Sequence, residues 1–125
     1  MPVVNKLTMF QMAVNDMPKA KEFYADALGM KVVKDYRHDD QNWWVSLNAP
    51  EGDITVTLTT NHQHMKPGTM TLYFATSDIA AAHQTLSSRG VKVKDIQNDL
   101  YGPGSGVKFF QLNDPDGNLI HIAEA

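Results

Sequence analysis

The segments VNDM at 14–17 and LGMKV at 28–32 are followed later in the chain by TSDI at 76–79 and RGVKV at 89–93, in the same order. The acidic residues of the two copies are 62 positions apart. In each copy an apolar, strand-like stretch leads to an Asp. A helical period of about a dozen residues then runs to a Gly, and a second apolar strand begins. The sequence therefore predicts two copies of one module, in which a helix follows a first strand and precedes others.

The repeat divides the chain into two similar parts, which we expect to fold as one domain spanning residues 1–125. Module one is predicted at 1–61 and module two at 69–125, with a linker at 61–68. A module of this length buries too little apolar surface to be stable by itself, so the two copies are expected to pack together. The concavity of the repeated sheets is then the expected place for a ligand.

Each predicted helix is bounded by a capping residue and a glycine, Asp16 with Gly29, and Ser77 or Asp78 with Gly90. An Asp side chain accepts a hydrogen bond from the first helical turn, and a glycine readily adopts the backbone conformation that ends a helix. The apolar stripes of the two helices are Ala20, Phe23, Tyr24, Ala27 and Leu28, and then Ile79, Ala82, His83 and Leu86. Each helix is therefore expected to lie with one face on a sheet.

Eight further stretches have the composition or alternation of β-strands. They are residues 7–14, 30–36, 43–48, 54–60, 69–76, 91–96, 107–112 and 119–123. A Gly/Pro-rich segment at 97–106 predicts a loop. The sequence DPDGN at 114–118 predicts a hairpin turn whose Asp, Gly and Asn serve the backbone geometry. The predicted fold class is α+β, with two helices and eight strands.

Composition excludes several classes of function. The formal net charge is −3, and the 11 Lys and Arg residues are scattered without a basic stripe, which argues against a nucleic-acid partner. Cysteine is absent, so disulfides, thiolate nucleophiles and Cys-based metal sites are excluded. No apolar run approaches the length of a membrane span, and the first residues do not form an export signal. We therefore expect a cytoplasmic protein without membrane or nucleic-acid partners.

Several short motifs occur together in a recognisable order. They are Val14 with Asp16, Phe23-Tyr24, Leu28-Gly29-Met30, Tyr101-Gly102, Phe109 and the turn Asp114-Pro115-Asp116-Gly117-Asn118. In this combination the chain resembles, over nearly its whole length, the vicinal oxygen chelate superfamily of glyoxalase I, extradiol dioxygenases, fosfomycin-resistance enzymes and bleomycin-binding proteins. The resemblance implies two tandem βαβββ modules, whose curved sheets form an eight-stranded half-barrel cavity with the helices outside. It also implies a homodimer.

Metal-dependent members of this superfamily place one ligand on the first strand and one on the last strand of each module. Carried over by spacing, these positions are Met9, Thr57, Leu72 and His121. Only His121 has a suitable donor, and Gln11, two residues from Met9, is the nearest further donor on the same predicted face. Two donors are fewer than the three protein ligands that a catalytic metal ion usually has. We therefore expect no metal and no other cofactor.

The same carried-over positions predict the lining of the cavity. It consists of Met9, Gln11, Ala13, Thr55, Thr57, Thr59, Met70, Leu72, Phe74, Leu119, His121 and Ala123. Trp43 and Trp44 are neighbours on one strand, so one of them faces the cavity and can stack on a ligand, and the sequence does not say which. Tyr101, with the loop 102–106, is expected to cover the ligand, as aromatic side chains and a flexible Gly-rich loop do in bleomycin-binding relatives.

Three functions are compatible with this lining. The first hypothesis is a metal-free, homodimeric protein that binds or sequesters a small, partly aromatic organic molecule. The alternative is a metal-dependent lyase or isomerase of glyoxalase type, or a dioxygenase, with His121 and Gln11 as ligands or acid–base groups. In the third, side chains fill the cavity and the dimer surface carries the function. Exchange of modules between two chains also stays open, since the linker at 61–68 joins similar halves.

Overall fold

The computed structural model describes residues 2–124, which form two compact units, one up to Pro67 and the other from Gly68 onward. Each unit consists of one β-sheet with a helix on one of its faces. The four-stranded sheet of unit 1 and the three-stranded sheet of unit 2 both pair the first strand of the unit in parallel with its last. No helix within residues 2–124 is long and apolar enough to cross a membrane.

Unit 1 contains four strands and one helix. In chain order they are β1 (Met9–Ala13), α1 (Met17–Glu22), a π-helical turn (Phe23–Ala27) that continues α1, β2 (Lys31–Asp39), β3 (Asn42–Asn48) and β4 (Thr55–Thr59). The strand order is β1-β4-β3-β2, with β1 parallel to β4 and the other pairs antiparallel. Strands β1 and β2 are therefore the two edges of this sheet.

Helix α1 begins as the sequence predicts. The Asp16 carboxylate accepts a hydrogen bond from the Lys19 backbone N–H at 3.1 Å. The helix then widens, since the Leu28 N–H donates to the carbonyl of Phe23 five residues earlier, at 3.0 Å. Tyr24 is completely buried. It belongs to the core that α1 forms with one face of the sheet, in which Met12, Val45, Leu47, Val56 and Leu58 are buried.

Unit 2 contains three strands and one helix. They are β5 (Thr71–Thr76), α2 (Ile79–Ser88), β6 (Phe109–Asn113) and β7 (Leu119–Glu124). The strand order is β5-β7-β6, with β5 parallel and β6 antiparallel to β7. Asp78 caps α2 by accepting from the Ala81 N–H at 3.0 Å, as predicted. His83 of α2 packs edge-on against Phe110, so α2 covers the face of the sheet that carries Phe110.

The predicted strand at 91–96 is wrong, so residues 2–124 contain seven strands rather than eight. Here the Lys94 N–H donates to the Gln111 carbonyl at 2.9 Å, and Gln97 forms an isolated bridge with Phe109. The Lys94 carbonyl, which a strand would use in a ladder, binds His83 Nε2 at 2.9 Å instead. A side chain of α2 thus occupies the Lys94 carbonyl, which is then not available to pair with β6. The α+β class stands, with sheets of four and three strands and two helices.

The DPDGN sequence forms the predicted hairpin turn between β6 and β7 around a buried carboxylate. Asp114 Oδ1 accepts from the backbone N–H groups of Asp116 and Asn118 at 2.9 and 2.8 Å, and Oδ2 accepts from Asn118 Nδ2 at 2.7 Å. Asn118 Oδ1 in turn accepts from the Met70 N–H at 2.8 Å. The turn therefore also fixes the chain that enters β5.

Both ends of the predicted linker are held in place. His62 Nε2 donates to the Val14 carbonyl at 2.6 Å, which ties the start of the linker to unit 1. At the other end Gly68 has φ +79°, and a Cβ there would lie 2.3 Å from the Asp116 carbonyl oxygen. Only glycine fits so close to the turn.

We predict that Asn118→Ala destabilises the protein by about 2–4 kcal/mol, because it leaves the Met70 N–H and the buried Asp114 carboxylate without this partner. Asn118 is 1% exposed, so water cannot replace the lost bonds. The matched control is Asn113→Ala in the same hairpin, which removes only two long bonds of 3.5 and 3.4 Å from an exposed residue and should cost less than about 0.5 kcal/mol. Urea denaturation measures both, and equal losses would contradict this role for Asn118.

Candidate functional site

Alternation along the strands of unit 1 places polar side chains on the face of the sheet opposite α1, here called the threonine face. Its members are Met9, Gln11 and Ala13 of β1, Lys31, Lys34 and Tyr36 of β2, Trp44, Ser46 and Asn48 of β3, and Thr55, Thr57 and Thr59 of β4. The five of these predicted on β1 and β4 as ligand-binding residues, Met9, Gln11, Thr55, Thr57 and Thr59, therefore lie on one face. Their role in binding stays a prediction.

The hydroxyl groups of this face are linked across the strands. Ser46 Oγ and Thr57 Oγ1 lie 2.8 Å apart and both residues are buried, while the Thr55 hydroxyl donates to Asn48 Oδ1 at 2.7 Å. Two hydroxyls in contact use only one of their two hydrogens on each other. One hydroxyl hydrogen of the Ser46–Thr57 pair, and further lone pairs, are therefore not used within the pair.

The structure distinguishes the two tryptophans. Trp43 lies on the α1 side of the sheet, where its Nε1–H donates to Asp35 Oδ1 at 2.7 Å and the Arg37 guanidinium stacks 4.4 Å from the ring centroid. Lys21 of α1 binds the other oxygen of Asp35 at 2.5 Å, and this bond is the main reason that the pKa of Asp35 is lowered. Trp44 lies on the threonine face beside Tyr36, with ring centroids 6.1 Å apart. Trp44 is thus the tryptophan of the candidate site.

In unit 2, rings cover the face of the sheet opposite α2. Tyr73 and His121 are directly opposite each other on β5 and β7, and their rings stack at 4.4 Å with an interplanar angle of 10°. Phe109 lies 6.0 Å from His121 on the other side. Tyr73 is 62% exposed whereas His121 is only 7% exposed. The phenol thus shields the imidazole and presents its own outer surface.

One ring nitrogen of His121 has a hydrogen-bond partner and the other has none within residues 2–124. Gln111 Nε2 lies 3.0 Å from His121 Nε2, so the amide donates, the ring nitrogen accepts and the proton of the neutral ring is on Nδ1. Nδ1 is buried and has no hydrogen-bond partner within residues 2–124. Burial lowers the pKa of His121 below 6.5, because a charged ring would lose its hydration. The imidazole is therefore neutral at physiological pH.

Three predicted placements are wrong or unsupported. Leu72 and Phe74 lie opposite Ile120 and Ile122, on the face that α2 covers, and not on the face of His121. They lie on that face because the strand has a period of two and His121 is aligned with Tyr73, and Leu72 is buried there whereas Phe74 is partly exposed. Met70 precedes β5 and is fixed through its backbone.

The covering role predicted for Tyr101 stays a prediction. The residue is 78% exposed, in the loop that follows Asp99. The Asp99 carboxylate holds the far end of that loop by accepting from the Gly106 N–H at 2.7 Å. The phenol ring is therefore free to meet another molecule.

The donors at the centre of the two pairs of parallel strands do not suit a divalent ion. On the pairs of parallel strands, the central positions hold Gln11 opposite Thr57 in unit 1 and Tyr73 opposite His121 in unit 2. Thr57 is bonded to Ser46, and the Nε2 lone pair of His121 is used by Gln111. No group of three or more His, Asp or Glu side chains within residues 2–124 is arranged to hold a metal. An ion of this kind requires about three such ligands.

Sequence reasoning set Tyr73 aside, since it lies one residue from the carried-over position at Leu72. It missed Gln111 beside His121, and Ser46, Tyr36 and Lys34 on the threonine face. A signal for Tyr73 was present in the repeat. It lies five residues before Asp78, as Gln11 lies five before Asp16. The carried-over ligand positions used offsets of seven and six residues instead. Because one offset is odd and the other even, the two carried-over positions lie on opposite faces of their sheets.

We predict that His121 makes stability depend on pH. Its pKa is lowered in the folded state, so the unfolded chain binds more protons between that folded value and the unfolded value near 6.5. Stability is therefore fully present above pH 6.5 and falls as the pH drops towards the folded pKa. Urea midpoints between pH 7.5 and 5 measure it, and His121→Gln should flatten this part of the curve. The unsubstituted protein under the same conditions is the reference.

Comparison with known proteins places this geometry in a family. The model of the Glyoxalase/Bleomycin resistance protein/Dioxygenase superfamily matches residues 6–122. No curated protein matches the chain. Among solved structures, TnmS3, an antibiotic binding protein from Streptomyces sp. CB03234, is 27% identical, with a TM-score of 0.83 and coverage of 99% of this chain and 98% of that one.

Two further structures extend the comparison. A member of the superfamily from Sphaerobacter thermophilus is 25% identical, with a TM-score of 0.82 and coverage of 99% of this chain and 100% of that one. Lactoylglutathione lyase from Agrobacterium tumefaciens, at 16% identity and a TM-score of 0.78 over 100% of this chain and 96% of that one, shares the fold. With the family model matching almost end to end, the chain belongs to the Glyoxalase/Bleomycin resistance protein/Dioxygenase superfamily.

Proposed function

We propose that this protein binds a small, partly aromatic organic molecule through the threonine face, without a resident metal ion. The observation that carries the proposal is the pairing of Trp44 and Tyr36 beside the Ser46–Thr57 hydroxyl pair. Aromatic rings provide flat apolar contact, and a few hydroxyls set the orientation of a ligand. This combination is typical of a binding site for an organic molecule.

The similarity to TnmS3 supports the same function. That protein binds an antibiotic, and it resembles this chain over nearly the full length of both. The identity of 27% leaves the ligand itself open. The proposal includes the homodimer that the family resemblance implies, with or without exchange of modules, and light scattering after gel filtration measures it.

A second candidate function is catalysis by His121. Its lowered pKa keeps the imidazole neutral at physiological pH, as a general base requires. Against this role, Nε2 is occupied by Gln111 and the stacked Tyr73 ring covers one side. Turnover of the methylglyoxal–glutathione adduct or of catechols, lost in His121→Ala, would favour the enzyme over the binding protein.

We predict that Trp44→Phe weakens the binding of aromatic probes about three- to tenfold, because a smaller ring contributes less stacking. Suitable probes are naphthalene-2-carboxamide, naphthalene-2-carboxylate and naphthalene-2-methylammonium at about millimolar concentrations. Binding is followed in every variant by the shifts of the backbone amide signals in nitrogen-15 NMR spectra.

Trp43→Phe is the matched control, since it makes the same change on the opposite side of the sheet. It should leave the affinity of the probes unchanged. An effect of Trp43→Phe as large as that of Trp44→Phe would contradict the assignment of the threonine face, and no binding of any of the three probes would contradict the proposed function.

We predict that no metal ion binds with one-to-one stoichiometry. The purified protein is offered nickel, zinc, cobalt, manganese and ferrous iron separately, dialysed and examined by native mass spectrometry, with His121→Ala alongside. The weak donors of Gln11, Thr57 and Tyr73 should leave only traces of metal in both proteins. One tightly held ion per chain that is lost in His121→Ala would instead make the protein a candidate metalloenzyme.

A further inference from the structure

The threonine face carries two lysines on its edge strand. Lys34 of β2 is directly opposite Ser46, and Lys31 is opposite Asn48. Through β3, β4 and β1, the row of Lys34 continues to Ser46, Thr57 and Gln11. An ammonium group, two hydroxyls and an amide thus cross the sheet in one line, next to the row that holds Tyr36 and Trp44.

A β-bulge creates this arrangement. Val32 is opposite Leu47 and Lys34 is opposite Ser46, so Val33 is an extra residue in β2. Without it, continuing the pairing of Val32 would place Lys34 opposite Val45 and turn it to the side of α1. Asp35 would then occupy the threonine face. Bulges re-aim side chains in this way. The extra residue Val33 thus places Lys34 on the threonine face and Asp35 on the side of α1.

The sheet carries an ion pair on the side of α1 and unpaired lysines on the threonine face. On the side of α1, Lys21 pairs with Asp35. Within residues 2–124, neither Lys31 nor Lys34 has an ion pair or a hydrogen bond through its ammonium group, and both are exposed. Strands β1, β3 and β4 carry no acidic residue. The threonine face is therefore cationic although the whole chain has a formal charge of −3.

One carboxylate, Asp39, lies towards this face at the end of the β2–β3 hairpin, opposite Asn42. Its Oδ1 accepts from the Gln41 N–H and from Asn42 Nδ2 at 2.9 and 3.0 Å. These bonds lower the pKa of Asp39, with the Asn42 side chain contributing most. The Asp39 carboxylate is therefore bound by groups of the turn, five residues along β2 from Lys34.

We propose that the ligand of the threonine face is an anionic aromatic molecule, such as an aryl carboxylate, and that Lys34 selects it. The ring lies against Trp44 and Tyr36, and the anion meets the Lys34 ammonium group and the free hydroxyl hydrogen of the Ser46–Thr57 pair. Two residues of a strand span about 7 Å, so one small molecule reaches both rows. This inference rests on the proposed function and adds the class of ligand to it.

The test compares three probes of equal ring size and different charge: naphthalene-2-carboxylate, naphthalene-2-carboxamide and naphthalene-2-methylammonium. Isothermal titration or NMR should give the carboxylate about fivefold higher affinity than the carboxamide, as one partly exposed ion pair provides, and the ammonium probe the lowest affinity. The preference should shrink at high salt, because ions screen an exposed charge.

Lys34→Gln should abolish the preference for the carboxylate over the carboxamide. Lys19→Gln is the matched control, since it removes the same charge from α1 on the opposite side of the sheet. Lys34→Glu should reverse the order in favour of the ammonium probe. Binding of the carboxamide through these substitutions also shows that the variants remain folded.

The outcomes separate this inference from the proposed function. Equal affinity for the carboxylate and the carboxamide, or an equal loss in Lys19→Gln and Lys34→Gln, would overturn the role of Lys34 and leave small-molecule binding intact. No binding of any probe would overturn both. A preference that disappears in Lys34→Gln and persists in Lys19→Gln supports the anionic ligand.

Discussion

Each sheet of this protein has a helix on one face only, and the two-residue period of a β-strand therefore decides what every strand residue does. Odd and even positions of β4 illustrate this constraint. Val56 and Leu58 enter the core beneath α1, while Thr55, Thr57 and Thr59 line the opposite face. Stability and the proposed ligand recognition thus depend on alternate residues of the same strands, and a shift by one residue would exchange the two roles.

Local signals predicted much of the fold from the sequence. The helix caps at Asp16 and Asp78 and the turn at Asp114–Asn118 are formed by side chains that bind their own neighbouring backbone, so short motifs were sufficient. Residues 91–96 were predicted as a strand because they alternate. Their carbonyl at Lys94 is taken by His83, a contact between distant residues that no local pattern shows.

The candidate site was predictable only where the sequence shows on which face of the sheet a strand residue lies. Trp43 and Trp44 are neighbours in β3 and therefore lie on opposite faces of the sheet. The choice between them needed the position of α1, which the Lys21–Asp35 bond defines. The bulge at Val33 changes parity within β2 and has no sequence signal of the kind that a glycine or proline provides. Lys34 was missed for this reason, and Leu72 was misplaced by an offset of one residue.

The two units have the same register between their first and last strands but different chemistry at its centre. Gln11 faces Thr57 in one unit, and Tyr73 stacks on His121 in the other. Neither pair combines two strong donors, and both leave a surface suited to flat organic molecules.

The unpaired lysines of the threonine face have little effect on the stability of unit 1. An exposed ion pair contributes about 0–1 kcal/mol, so leaving Lys34 unpaired costs little. Burying the apolar side of the same sheet contributes about 1.5–3 kcal/mol for each large side chain, such as Leu47 and Leu58. Charges on the open face can therefore change without loss of the fold. The fold explains the position of Asp35, which pairs with Lys21 and Trp43, but it gives no reason to keep two unpaired cations on the other face, whereas recognition of an anion does.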